Sequence, residues 1–596
     1  MKRAALCMLV AGLLFASGAA RGQVLFVASL DGSQETPVNA SKSKGTGWAI
    51  LSADMKSITY GLTFAELSDT LTAGHFHVGV PGIGGPVVHP ISFTGNSSNG
   101  TWSNPPDSII VQLFAGNVYL NVHSKAHTGG EIRGQLTAVK GIGFTATLTG
   151  AQETPPNPST AAGTAWAYLD SAGARITYRL TLAGFDSTVS AGHFHDAPPG
   201  VPGGIVHGIA FVDSTSAGTW SAVPPVEVAS LLKGNLYLNA HTPRYPGGEI
   251  RGQLLRVSPA VFVAGLDGSQ ETPPNASISK GTSWAVLSMD AATITYGVTY
   301  AELSDTITAS HFHVGVPGIG GGVVHPITFT GNTSGGTWTG YPDTIISHLA
   351  TGDVYVNVHS KAHTGGEIRG QYTAAQGVGF ITTLTGAQET PSNPSKAKGT
   401  AWAVLDSNGT RITYRLTLAG FDSTVSAGHF HDGAPGVPGG IVHGIAFVDS
   451  TSSGAWTGVP SAELVSLMKG NLYLNAHTPR YPGGEIRGQL GLVPGIFTSV
   501  VRTNSAQPSK FLLEQNYPNP FNPATTIQFQ IVSTAKISLN VYNLLGQRVA
   551  TLVDGVKPAG TYQVQFDASR LSSGVYLYRL SADGALLATR KMLLLK

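Results

Sequence analysis

The feature that most constrains this chain is an internal repeat whose period is too long for a solenoid. The tripeptide His-Phe-His occurs four times, beginning at His75, His193, His311 and His429, with a step of 118 residues each time. The glutamate of GGEIRGQ keeps the same step at Glu131, Glu249, Glu367 and Glu485. Solenoid repeats run to about 20–50 residues and cannot bury a core alone. A unit of this length can, so the sequence predicts four domains over 24–138, 142–256, 260–375 and 379–492. Units one and three share VGVPGIGG after the tripeptide, whereas units two and four share SAGHFHD, which points to a two-unit ancestor duplicated as a block. With only a few residues between units, the expectation is a semi-rigid rod of beads, each with its own core.

Within a unit the hydrophobic pattern has period two. In SITYGLTFAEL, Ile58, Tyr60, Leu62 and Phe64 alternate with Thr59, Gly61 and Thr63, as in a half-buried strand. WAILS, GHFHV, VVHPI, NVYLNVH and GEIRGQL read as further strands between Gly, Pro, Ser and Asn. The only helical signal is a turn or two near SIIVQLFAG. The predicted fold class is all-β: four tandem immunoglobulin-like or superoxide-dismutase-like sandwiches or barrels, plus a small C-terminal β-sandwich.

Alternation also orients the histidines. If Phe76 and Val78 face the core, His75 and His77 project from the opposite face. By the same rule Tyr119, Asn121 and His123 share that outer face, as do Glu131, Arg133 and Gln135. His89 is ambiguous, because VVHPI is apolar on both faces. Four positions recur in every unit: His75, His77, His89 and His123; His193, His195, His207 and His241; His311, His313, His325 and His359; His429, His431, His443 and His477. His127, His363 and His348 stand outside the pattern. Neutral imidazole is the commonest protein metal ligand, and an all-imidazole set suits copper or zinc. Two readings stay open: one ion per unit held by four histidines, with Glu131 or another carboxylate orienting a ligand ring, or a purely structural hydrogen-bond cluster. Glu131 and Arg133 read as a surface ion pair, and Glu35 as a hydrogen-bonding residue of the QETP turn. No catalytic triad or paired-carboxylate arrangement stands out, and the GVPGIGG stretch lacks the lysine of a phosphate-binding loop.

The remaining sequence bounds the function. Charged residues are only 11% of the chain and the net charge is +2, with no basic run to meet nucleic acid. Residues 1–23 carry a basic start, an apolar stretch and small residues, the pattern of a secretory signal peptide. No later stretch approaches the roughly 20 apolar residues of a transmembrane helix. The single cysteine, Cys7, lies in the signal segment, so the mature chain would enter an oxidising compartment with no disulfide. After a linker over 493–509 the composition changes.

With SQETP at its start, GHFHV in its middle and HTGGEIRGQL at its close, each unit resembles the CHRD domain, known from extracellular proteins such as chordin. The resemblance implies an immunoglobulin-like barrel with distant similarity to copper/zinc superoxide dismutases. Carried over, the copper ligands of those enzymes would fall on His75, His77, His89 and His123, and Arg133 would stand where an arginine guides the anion. The further histidines, the aspartate and the cysteine pair of those enzymes have no counterparts here, which weighs against dismutase activity and leaves metal binding standing. Residues 510–596, with FLLEQNYPNPFNPATTIQFQI and SSGVYLYRLSADG, resemble the type A C-terminal sorting domain of the type IX (Por) secretion system. That resemblance implies export to the outer cell surface or beyond, with the secretion machinery as one partner. Three functions follow: a non-enzymatic binding or adhesive module with an unidentified extracellular partner, a copper redox enzyme, or a metal-capture protein without turnover.

Overall fold

A computed structural model describes residues 22–492, 501–504 and 510–595, apart from 517–518, 522–523, 534, 544–547, 558–559 and 569–572. The predicted signal segment up to residue 21 and most of the predicted linker lie outside the described residues. The repeats and the C-terminal domain are two separate compact units.

Each repeat is one antiparallel sheet curled into a nearly closed barrel. In the first repeat the strands are β1 (Val24–Asp31), β2 (Lys44–Leu51), β3 (Ser57–Ala65), β4 (Leu71–Val78), β5 (Val87–Pro90), β6 (Ser97–Ser103), β7 (Val118–Ser124), β8 (Ile132–Gln135) and β9 (Thr137–Ala138). Their order is β5-β4-β7-β8-β1-β2-β3-β6, with β9 pairing β1. Helix α1 (Asp107–Phe114) sits where the sequence predicted a helical turn and buries Ile109, Ile110, Leu113 and Phe114. The barrel interior is filled by Phe26, Leu30, Ile58, Leu62, Phe64, Phe76, Leu120, Val122 and Ile132, the inward set that period-two alternation requires.

The predicted rod of independent beads is not what the chain builds. On the face of β2 and β3 turned from the barrel interior stand Thr46 and Thr63. Thr46 and Thr181 meet through their hydroxyls at 2.8 Å, and so do Thr63 and Thr164. The Trp166 indole donates to the carbonyl of Ala28 at 3.3 Å. Side chains this small let two sheets approach closely; at Gly143 of repeat 2 a Cβ would stand 2.7 Å from Leu25 of repeat 1. Repeats 3 and 4 meet in the same way through Thr282–Thr417 at 2.8 Å and Thr299–Thr400 at 2.7 Å.

A second type of contact joins the helices. α2 (Pro225–Lys233) of repeat 2 packs on α3 (Asp343–Thr351) of repeat 3, with Lys233 and Asp343 paired at 2.7 Å. α4 (Ser461–Met468) of repeat 4 returns to α1 of repeat 1, with Lys469 and Asp107 paired at 2.5 Å across 362 residues of sequence. Exposed ion pairs contribute only about 0–1 kcal/mol, so apolar burial carries these contacts. The buried hydrophobics of repeats 2 and 3 form one continuous cluster, and those of repeats 1 and 4 another. The four barrels therefore close into a ring. The linker residues are part of it: Val257 is buried with Leu25, Trp48 and Trp166.

The C-terminal unit is two four-stranded sheets. Ala524–Ile531 and Gly560–Asp567 are central in one, Ala535–Tyr542 and Gly574–Ala582 in the other. Ile527, Phe529, Ile537, Leu539, Val541, Val564, Tyr578 and Leu580 are fully buried in a single core, as expected of a small sandwich. In the strand after Gly574 the inward set is Tyr576, Tyr578 and Leu580, with Val575 and Leu577 half-buried on the other side.

Candidate metal centre in each repeat

The His-x-His spacing on β4 places His75 and His77 on one face, away from Phe76. β7 is its antiparallel neighbour, with His75 opposite Asn121, His77 opposite Tyr119 and Ala73 opposite His123. His123 thus arrives diagonally beside His75. One ring nitrogen from each of His75, His77 and His123 lies within 4.8 Å of the other two. The same triads form from His193, His195 and His241, from His311, His313 and His359, and from His429, His431 and His477.

Their hydrogen bonds fix the rings. His77 Nδ1 donates to the Gly85 carbonyl at 2.9 Å and His123 Nδ1 to the Thr128 carbonyl at 3.0 Å. A proton held on Nδ1 leaves Nε2 of each ring as a lone pair. Nε2 of His77 is buried and has no partner among the described residues, and so are its equivalents in His195, His313 and His431. His123 Nε2 faces His75 Nδ1 at 3.2 Å. Two imidazole nitrogens bound at about 2.0–2.1 Å to a tetrahedral ion would stand ~3.3 Å apart. The donor set and its spacing therefore fit a first-row ion. Burial, joined by the neighbouring imidazoles, lowers the pKa of His75; burial lowers those of His77 and His123. The rings are thus neutral and ligand-competent at pH 7.

The fourth predicted histidine is not brought to this spot. His89 on β5 is directly opposite Phe76, and cross-strand partners share a face. Its ring stacks on Trp102 at 4.7 Å with 4° between planes. His207 on Trp220, His325 on Trp338 and His443 on Trp456 repeat the arrangement. The expected convergence of four imidazoles is corrected to three, because VVHPI gives no polar alternation to orient its histidine.

Three further expectations change. Tyr119, Asn121, Glu131 and Arg133 do leave the hydrophobic face, yet each is at most 3% exposed. They are roofed by the loop between β4 and β5 and by the segment after β1. Among the described residues Glu131 has no ion-pair partner and orients no imidazole: it accepts from Ser41 at 2.6 Å and from the Ser68 amide at 2.7 Å. Arg133 directs its guanidinium to the carbonyls of Ile83 and Val80, both at 2.9 Å, and to Gln135 at 3.1 Å. It lies 3.6 Å over the Tyr119 ring, on which His77 also stacks at 4.9 Å. Arg133 thus pins the roof loop whose Gly85 carbonyl orients His77.

Beside the triad is a cleft lined by Glu35, Thr36, His77, Gly85, Tyr119, Asn121 and Arg133, among others. Asn121 Nδ2 donates to both Glu35 oxygens at 3.1 and 3.2 Å. Burial pushes the Glu35 carboxyl up to about 7, against the opposing pull of Arg133 and Asn121. Glu153, Glu271 and Glu389 are raised likewise to about 7. Sequence reading gave Asn121 no role; its place between Tyr119 and His123 on the shared face was the available signal.

Repeat for repeat, the barrels coincide with matches to one known family. The CHRD domain matches residues 26–136, 144–254, 262–372 and 380–490. The chain belongs to the CHRD family. Residues 515–595 match the secretion system C-terminal sorting domain. Chordin of Xenopus laevis is 25% identical over 284 residues, covering 44% of this chain and 29% of that protein. The chain thus spans less than a third of this relative's length. Among solved structures, Salmonella alpha-2-macroglobulin reacted with methylamine aligns with 97% of this chain and 40% of its own, at 10% identity and a TM-score of 0.15. A tetra-tandem repeat from the extending region of a large adhesion protein aligns over 72% of this chain and 97% of its own, at 14% identity and a TM-score of 0.12. Scores this low carry no argument about fold or function. Among the described residues no helix is long and apolar enough to cross a membrane.

Proposed function

We propose that this CHRD protein is an exported, non-enzymatic binding protein whose four repeats each hold one copper or zinc ion through three histidines. The signal-peptide pattern over residues 1–23 would direct it through the inner membrane, and the sorting domain would hand it to the type IX machinery for surface display or release. The observation that carries the metal reading is the buried, partnerless Nε2 of His77, His195, His313 and His431. A buried acceptor left unpaired costs about 1–3 kcal/mol. To meet that cost four times, each time with Nδ1 tied to a backbone carbonyl, is unexpected of a structural cluster and is what a metal ligand requires. The binding role draws further support from the likeness to chordin.

The test is metal analysis of the full chain after loading with Cu(II) or Zn(II) and gel filtration, with superoxide consumption followed in parallel. Four ions per chain without turnover is the expected result. Turnover that disappears in His77→Ala would move the protein to the redox class. Retention of neither ion would leave the triads as hydrogen-bond clusters and end the metal reading.

A further inference from the structure

The cleft beside each triad contains a second polar atom that the protein leaves unmatched. Asn121 is 3% exposed, and its amide is turned so that Nδ2 serves Glu35. Its Oδ1 is therefore directed away from Glu35, and it has no partner among the described residues. Oδ1 of Asn239, Asn357 and Asn475 is equally buried and equally unmatched. Asn121 is the cross-strand partner of His75, on the face that carries His77 and His123.

Several other polar groups of the cleft are already engaged. The Tyr119 hydroxyl accepts from the Gly85 amide at 3.0 Å. Arg133 points its Nη1 and Nη2 at loop carbonyls and Gln135. The Glu35 carboxylate takes the Asn121 amide. The two unmatched atoms, His77 Nε2 and Asn121 Oδ1, are both acceptors. A cation satisfies the first atom, and a ligand of that cation carrying its own hydrogen satisfies the second. Three protein ligands also leave a tetrahedral ion one open position.

We infer that the position left open by the three histidines faces this cleft and takes water or another small neutral donor bearing an N–H or O–H, whose hydrogen is accepted by Asn121 Oδ1. The inference rests on the metal reading above and gives it a ligand class. Arg133, despite its charge, serves the loop rather than an incoming anion.

The test uses the full chain loaded with Cu(II), with copper counted first. Pulsed EPR in D2O should show exchangeable deuterons on a coordinated water. Free imidazole should displace that water and add a fourth nitrogen coupling. In the variant Asn121→Leu, Asn239→Leu, Asn357→Leu and Asn475→Leu, imidazole, whose N–H replaces the hydrogen bond of the water it displaces, should bind with unchanged affinity. Azide, which has no hydrogen to replace that bond, should bind the variant about 5–10-fold more tightly than the natural protein, the worth of one hydrogen bond. Four coppers with no coordinated water and no response to imidazole would overturn the inference and leave the metal reading intact. Equal azide affinity in the variant and the natural protein would overturn the role of Asn121. Absence of bound copper would overturn both readings.

Discussion

His75 and His77 leave β4 on one side; Phe76, with His89 opposite it on β5, leaves on the other. On the first side each imidazole is held at the edge of a polar cleft, with its neighbours arranged to keep a nitrogen lone pair free. On the second side the imidazole lies flat on Trp102 and behaves as a small aromatic plate. The same side chain, recurring equally faithfully in all four repeats, offers a free nitrogen in one setting and is a packing element in the other. Recurrence across internal copies therefore identifies positions under constraint without saying which constraint. The face of the strand decides that.

Several measurements would break or sharpen this contrast. Changing His77, His195, His313 and His431 together to Ala should abolish metal retention. Loss of a mere outer-shell partner already costs 10–100-fold, so loss of a ligand should weaken affinity by at least about 100-fold. The matching set on the inner face, His89, His207, His325 and His443 to Ala, should leave four ions per chain and lower stability in urea melts. Removing a stacked ring should cost about 1–3 kcal/mol per repeat. If that set lost its metal instead, the division between the faces would be wrong.

A pH series separates the two kinds of buried titratable group. In the folded protein Glu35 is raised to about 7 from an ordinary value of 4.5. The native state therefore holds more protons than the unfolded chain between those values, and stability falls as pH rises through that window. Glu35→Gln, combined with its three equivalents, should flatten that fall. The variant should be more stable than the natural protein at pH 8, by at most on the order of 3 kcal/mol per site, and indistinguishable from it near pH 4. His75, His77 and His123 act in the opposite sense. Their pKa values are lowered from 6.5 by burial. The metal-free protein therefore keeps their contribution above 6.5 and loses it as pH falls below, which metal-free thermal melts will show as a declining Tm. The smallest effect belongs to the ring contact. Reversing both charges of the Lys469–Asp107 pair should change stability by less than about 1 kcal/mol.

Much of this was legible in the chain itself. Alternation in GHFHV and NVYLNVH placed His75, His77 and His123 on a common face, and the hydrophobic set chose which face. Alternation is silent where both faces are apolar, as at VVHPI, and there the pairing of His89 with Phe76 was decided by register. It is also silent about what covers a face. Glu131 and Arg133 point away from the core as the pattern requires, yet chain distant in sequence buries them: Arg133 is held by the loop carrying Val80 and Ile83. The ring was hidden for the same reason. Thr63 falls on the polar side of its strand's alternation, and only the presence of Thr164 makes it part of an interface.

Closure of the barrels on one another has a numerical consequence. In an open array, copies can be gained or lost at either end with little penalty. Here both ends of the series are used, because Asp107 and Phe114 of the first barrel are already engaged by the last. A fifth copy would have no surface to dock on, and a lost one would strip two neighbours of their cover. Unequal crossing-over, the usual fate of near-identical tandem segments, is thereby penalised in both directions. The circle itself keeps the count at four.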